Sequence, residues 1–175
     1  MSDVEREPIA SVPEFLAHAL ELEVEARDRY REMADCMEVH HNPEVAELFS
    51  EMAHYSELHV REVQLRAHGI ELPAIAPWGF KWSCPDSPEA PCAEDAHYLM
   101  SRRQALQLAL HNETRARDFY LRVATGSQVT EVRALAQEMA GEEQLHVELL
   151  TEWIARAANG AEELPEDLDP PNSPE

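Results

Sequence analysis

Five side chains in this sequence are of types that hold metal ions, and their spacing puts them on helices: Glu23, His59, Glu113, Glu143 and His146. Glu143 and His146 stand three residues apart, so one helix projects them from the same face. Carboxylate oxygen combined with imidazole nitrogen, without thiolate, suits iron or manganese, with zinc as the alternative. Helical bundles that hold carboxylate-bound metal pairs use a Glu from each of two helices and Glu-x-x-His from the other two. The order here is Glu23, then His59, then Glu113, then Glu143-x-x-His146, which is that arrangement with one acid fewer.

The neighbours of these residues decide whether they point inward. An α-helix turns about 100° per residue. Leu16, Ala19, Ala26, Tyr30, Ala34 and Met37 then share the stripe centred on Glu23. Leu106, Ala109, Ala116, Tyr120 and Ala124 gather around Glu113, and Val132, Ala136, Met139, His146, Leu150 and Ile154 around Glu143. Three carboxylates thus aim into an apolar interior from three helices. An unpaired buried carboxylate costs roughly several kcal/mol. A bound cation, protonation, or ion pairs with Arg27 and Arg117 on neighbouring angles are the three ways to offset that cost.

The elements that carry these residues come as two copies. "EVEARDRY" at 23–30 is repeated as "ETRARDFY" at 113–120, and "EMAHYSELHV" at 51–60 as "EMAGEEQLHV" at 138–147. The sequence predicts four helices. The first runs from Ser11, an N-cap with Glu14 as capping-box partner, to about Val39. The second runs from the cap Asn42 to Gly69, a C′ glycine. The third spans about Ala93 to Thr125, and the fourth about Val129 to Ala158. Short links make each pair an antiparallel hairpin, and a proline-rich crossover at 70–92 lets the hairpins close into an all-α, antiparallel four-helix bundle over 11–159. Trp78 and Trp82 in the crossover read as packing across the bundle, with a docking surface as the alternative. The acidic, proline-rich segment 160–175 reads as a disordered tail.

Composition narrows the functional classes. A formal net charge of −21 argues against nucleic acid and against anionic membrane surfaces. No apolar run is long enough to span a bilayer and no signal segment opens the chain, so the cytoplasm is the expected location. The three cysteines, Cys36, Cys84 and Cys92, are too few for a disulfide framework. Cys84 and Cys92 read as unpaired loop thiols, with a reversible disulfide or an ancillary metal contact as the alternatives.

With these motifs in this order, the sequence resembles the rubrerythrin-like branch of the ferritin-like di-iron superfamily, from about residue 14 to residue 156. The resemblance implies a di-iron site that reduces peroxide or oxidises ferrous iron. It implies Glu23 and Glu113 as terminal ligands, Glu143 as a bridging ligand, His59 and His146 as one ligand for each metal, and Tyr30 and Tyr120 as hydrogen-bond partners of the acids. It also implies a homodimer. Two departures stand out. Ser56 occupies the place of a bridging glutamate, aligned by the repeat with Glu143. One or two ions are therefore both open, as is a position for the oxidant at Ser56. Glu57 is turned about 100° away from that place. Glu51-x-x-His54 is a second, weaker Glu-x-x-His candidate. Nor does the sequence hold the paired Cys-x-x-Cys motifs of a rubredoxin module, so electrons would come from a separate, unidentified donor.

Three functions follow from these residues. The leading one is an iron-dependent oxidoreductase, of peroxidase or ferroxidase type, taking hydrogen peroxide or oxygen. The second is non-catalytic iron or metal binding at a degenerate site. The third is a metal-free scaffold whose glutamates are satisfied by Arg27, Arg117 and protons.

Overall fold

The computed structural model describes residues 8–82, 87–88 and 97–157. Cys84, Cys92 and the segment 160–175 lie outside them. Four long helices make the architecture: α1 (Val12–Val39), α2 (Pro43–Arg66), α3 (Arg102–Gly126) and α4 (Thr130–Ala157). Among the described residues of the crossover between α2 and α3, Pro77–Gly79 forms a 3-10 turn. The tightest pairings are α1 with α2 and α3 with α4, so the molecule is two helical hairpins docked into an all-α bundle.

The helix ends follow local chemistry, with three corrections to the sequence reading. Ser11 caps α1, its Oγ accepting from the Glu14 amide at 3.3 Å, but the Glu14 carboxylate accepts from the Ala10 amide rather than from Ser11. The turn into α2 puts His41 in the left-handed region at φ 57°. Asn42 precedes α2 without capping it through its side chain. Its amide instead donates to the carbonyls of Met100, at 2.9 Å, and Tyr98, at 3.2 Å. Asn42 thus ties the first hairpin to the lead-in of the second. Helix α2 ends at Arg66, and Gly69 takes φ +78°, a conformation that L side chains rarely adopt. The third correction concerns the start of α3, expected near Ala93. Residues 97–101 form a turn, and Ser101 closes a full capping box with Gln104 at the head of α3.

The core has two apolar halves separated by a polar layer. One half gathers Ala26, Tyr30, Met33, Phe49, Met52, Leu106, Ala109 and Leu150. The other gathers Phe15, Leu16, Ala19, Leu22, Val63, Trp82, Ala116, Phe119, Tyr120, Val132 and Ala136. Glu23, Glu113 and Glu143 sit between them, all essentially without solvent exposure. The side chains one turn away from these acids are small, Ala19 and Ala26 beside Glu23 and Ala109 and Ala116 beside Glu113. The helices can therefore approach closely while the longer acids fill the middle.

The crossover is anchored by a residue the sequence reading did not single out. His18 is fully buried. Its Nδ1–H donates to the Glu14 carbonyl at 2.8 Å, and its Nε2 accepts from the Lys81 amide at 3.0 Å. Both bonds require the neutral ring with the proton on Nδ1. Phe80 and Trp82 meet the ring edge-on, and Phe119 stacks on it. Trp82 is buried there, as expected, whereas Trp78 is 89% exposed and packs on nothing across the bundle.

Candidate metal centre

The structure brings together all five residues singled out as ligands. Helix α1 supplies Glu23, α2 His59, α3 Glu113, and α4 both Glu143 and His146. His59 Nδ1 lies 3.4 Å from Glu23 Oε2 and 3.8 Å from Glu143 Oε1. His146 Nδ1 lies 3.1 Å from Glu113 Oε2 and 3.5 Å from Glu143 Oε2. The two imidazoles stack at 4.9 Å with planes 7° apart. Two donor triads result, Glu23–His59–Glu143 and Glu113–Glu143–His146, with the ligand atoms of each within 4.8 Å of one another. Glu143 belongs to both and offers a different oxygen to each histidine.

The acids are dry and the histidines face outward. The side chains of His59 and His146 keep 16% and 21% of their exposure, against 0–1% for the three acids. The part of the cluster nearest solvent is therefore the pair of imidazoles, His59 on α2 and His146 on α4. Tyr55 flanks His146, its ring 5.7 Å away and its hydroxyl donating to Glu51 Oε1 at 3.3 Å. Glu51 and His54 are exposed, so this Glu-x-x-His pair is on the surface and takes no part in the cluster.

Arg27 and Arg117 are engaged away from these acids. Arg27 binds Asp28 and Glu57, and Arg117 binds Asp118 and Gln144. Burial raises Glu23 above the usual carboxylate range, against the pull of His59. Its Oε2 has no hydrogen-bond partner among the described residues. Burial also opposes protonation of His59, but Glu23, Glu113 and Glu142 outweigh it and lift the imidazole to about 9. For Glu113 the upward push of burial is overcome by hydrogen bonds with His146 and Glu143, which hold it below its ordinary value. A hydrogen bond between two carboxyl groups needs a proton on one of them. Positive charge, as protons or as a cation, is what this interior demands.

The tyrosines and Ser56 complete the surroundings. The Tyr120 hydroxyl donates to Glu23 Oε1 at 3.4 Å, from α3 across to α1. The Tyr30 hydroxyl accepts from Asn112 Nδ2 at 3.4 Å, next to Glu113. Ser56 is buried, and its Oγ donates to the Met52 carbonyl of its own helix at 3.2 Å. Asn112 was missed by the sequence reading, although a signal was present. The repeat pairs it with Leu22, so it is a polar residue where its counterpart is apolar.

The Rubrerythrin family model matches residues 14–67, the stretch that contains Glu23, Ser56 and His59. A crystal structure of a conserved protein from Magnetospirillum magnetotacticum MS-1, described as uncharacterised, is similar at 40% identity with a TM-score of 0.65. The match covers 83% of this chain and 95% of that one. No curated protein matches the chain.

Proposed function

This chain belongs to the rubrerythrin-like branch of the ferritin-like superfamily, and from that membership and the site we propose that it holds iron and acts as a peroxidase- or ferroxidase-type oxidoreductase. The observation that carries the reading is Glu143, shared by two donor triads in a dry layer, with Arg27 and Arg117 engaged elsewhere. The donor set fits two divalent ions. Glu23 and His59 would hold one, Glu113 and His146 the other, and Glu143 would lie between. Iron held there would supply the electrons for peroxide reduction, or would itself be the ferrous ion that peroxide or oxygen oxidises. The protein's own part is positioning. Tyr120 orients the Glu23 carboxylate, and Asn112 donates to Tyr30. The two apolar halves keep bulk water from the acids, and a small oxidant would enter at the partly exposed imidazoles of His59 and His146. Electrons for turnover come from a separate donor.

Anaerobic loading with ferrous iron followed by peroxide tests the reading. The expected result is two irons per chain, an oxo-bridge absorption in the near ultraviolet, and turnover with a reductant. Bound iron that peroxide leaves unchanged contradicts it.

Ser56 favours a second reading, metal binding without turnover, because the α2 side brings an imidazole but no carboxylate. A single tight, redox-silent ion such as zinc is the outcome that supports it. The metal-free scaffold loses its main support, since Arg27 and Arg117 are engaged elsewhere.

A further inference from the structure

The charge of the centre does not close on the protein's own ligands. Glu23, Glu113 and Glu143 carry three negative charges, and two divalent ions carry four positive ones. The missing charge lies on one side. Helix α4 brings both an acid and an imidazole, Glu143 and His146, whereas α2 brings His59 alone. The repeat sets Ser56 opposite Glu143, three residues before its histidine, and Ser56 is 2% exposed. Its one proton is spent on the Met52 carbonyl at 3.2 Å, so the hydroxyl neither donates to an anion nor carries charge. The nearest acid in sequence, Glu57, is held on the outside by Arg27, Arg31 and Arg61.

We propose that the loaded centre takes up a small exogenous monocarboxylate on its α2 side, in the place that Glu143 fills on the α4 side. The inference rests on the metal-binding reading above. A carboxylate matches in charge, because one negative charge makes the pair of divalent ions neutral. It matches in kind, because its two oxygens can span two ions as a glutamate does. It matches in size, because formate is the group by which a glutamate side chain outreaches a serine. Ser56 contributes smallness rather than a ligand atom.

Cobalt(II) titrations of the purified full-length chain, with formate as the probe, test this. Metal stoichiometry and the visible ligand-field spectrum are the readouts. Formate should perturb the spectrum saturably. It should also tighten the second ion by roughly ten- to a hundred-fold, the span that changes around metal ligands commonly produce. Ser56→Glu should bind the second ion as tightly without formate as the natural chain does with it, and show no spectral response to formate. Ser56→Ala should respond to formate as the natural chain does. Two ions bound equally well with and without formate would overturn the proposal while leaving the metal site standing. Loss of the response in Ser56→Ala would also overturn it, since the hydroxyl would then be the ligand. Failure to bind cobalt in any form defeats the metal-binding reading itself.

Discussion

The two hairpins descend from one pattern yet are unequal partners in the site. The α3–α4 hairpin contains a complete donor triad, Glu113, Glu143 and His146. The α1–α2 hairpin contributes Glu23 and His59 and reaches across to Glu143 for its third ligand. One metal position is therefore local to a hairpin, and the other exists only when the hairpins dock. The difference comes down to one side chain, Ser56 against Glu143. A second inequality lies beside it. Tyr120 of the second hairpin hydrogen-bonds an acid of the first, whereas Tyr30 of the first meets Asn112 of the second. Repetition supplied the scaffold, and departures from repetition gave the two halves different work.

Substitutions that separate the hairpins sharpen this contrast. Glu143→Ala should have the largest effect, because it removes a ligand from both triads. Metal stoichiometry should fall from two toward none, and the chelator-sensitive part of the thermal stability should vanish with it. A ligand at a hundred times its dissociation constant stabilises by about 2.7 kcal/mol. Elemental analysis and melting curves with and without chelator check this. Glu23→Gln should cost one ion only, leaving the α3–α4 triad occupied, whereas Glu113→Gln should spare the shared position at the hairpin interface. Equal loss from both variants would erase the distinction between the hairpins.

His18 tests the docking of the crossover on the first hairpin. Leucine there leaves the Lys81 amide without its acceptor and should destabilise by about 1–3 kcal/mol in denaturant unfolding. The natural chain should also show a pH signature. Burial holds His18 below its ordinary value of 6.5, outweighing the Glu14 contacts that raise it. Between those two values the unfolded chain binds more protons, so stability rises with pH. The contribution is complete above about 6.5 and is lost as pH falls through the lowered value. The slope of stability below pH 6.5 should be shallower in His18→Leu. The smallest effect is expected from Asn112→Leu, which makes α3 match α1 at that position. It should cost about 0.5–1.5 kcal/mol for the lost hydrogen bond to Tyr30 and leave metal stoichiometry unchanged.

Much of this arrangement was legible in the sequence because the informative residues break a helical pattern that is otherwise regular. Glutamates centred on alanine-rich stripes announced both the helices and the polar layer, and the internal repeat exposed Ser56. What sequence could not give was the destination of side chains whose partners come from distant segments. Asn42 is a good capping residue by type, but the bonds from its Nδ2 to the Met100 and Tyr98 carbonyls hold the side chain in an orientation that does not cap α2. The head of α3 moved because Ser101 and Gln104 make a better start than the residues before them. His18 sits on a stripe with nothing in its own helix to mark it, since its second partner is the Lys81 backbone amide. Arg27 and Arg117 share helix angles close to the acids, yet their neighbouring aspartates and the facing Glu57 and Gln144 draw them outward.

The central claim is that Glu143 joins two metal positions in the dry layer between the apolar halves. Anomalous diffraction from crystals loaded with ferrous iron under anaerobic conditions tests it most directly. The account predicts two peaks on either side of the Glu143 carboxylate, one near Glu23 and His59 and the other near Glu113 and His146. Peaks confined to the acidic surface, with the Glu143 carboxylate touching no ion, would contradict it.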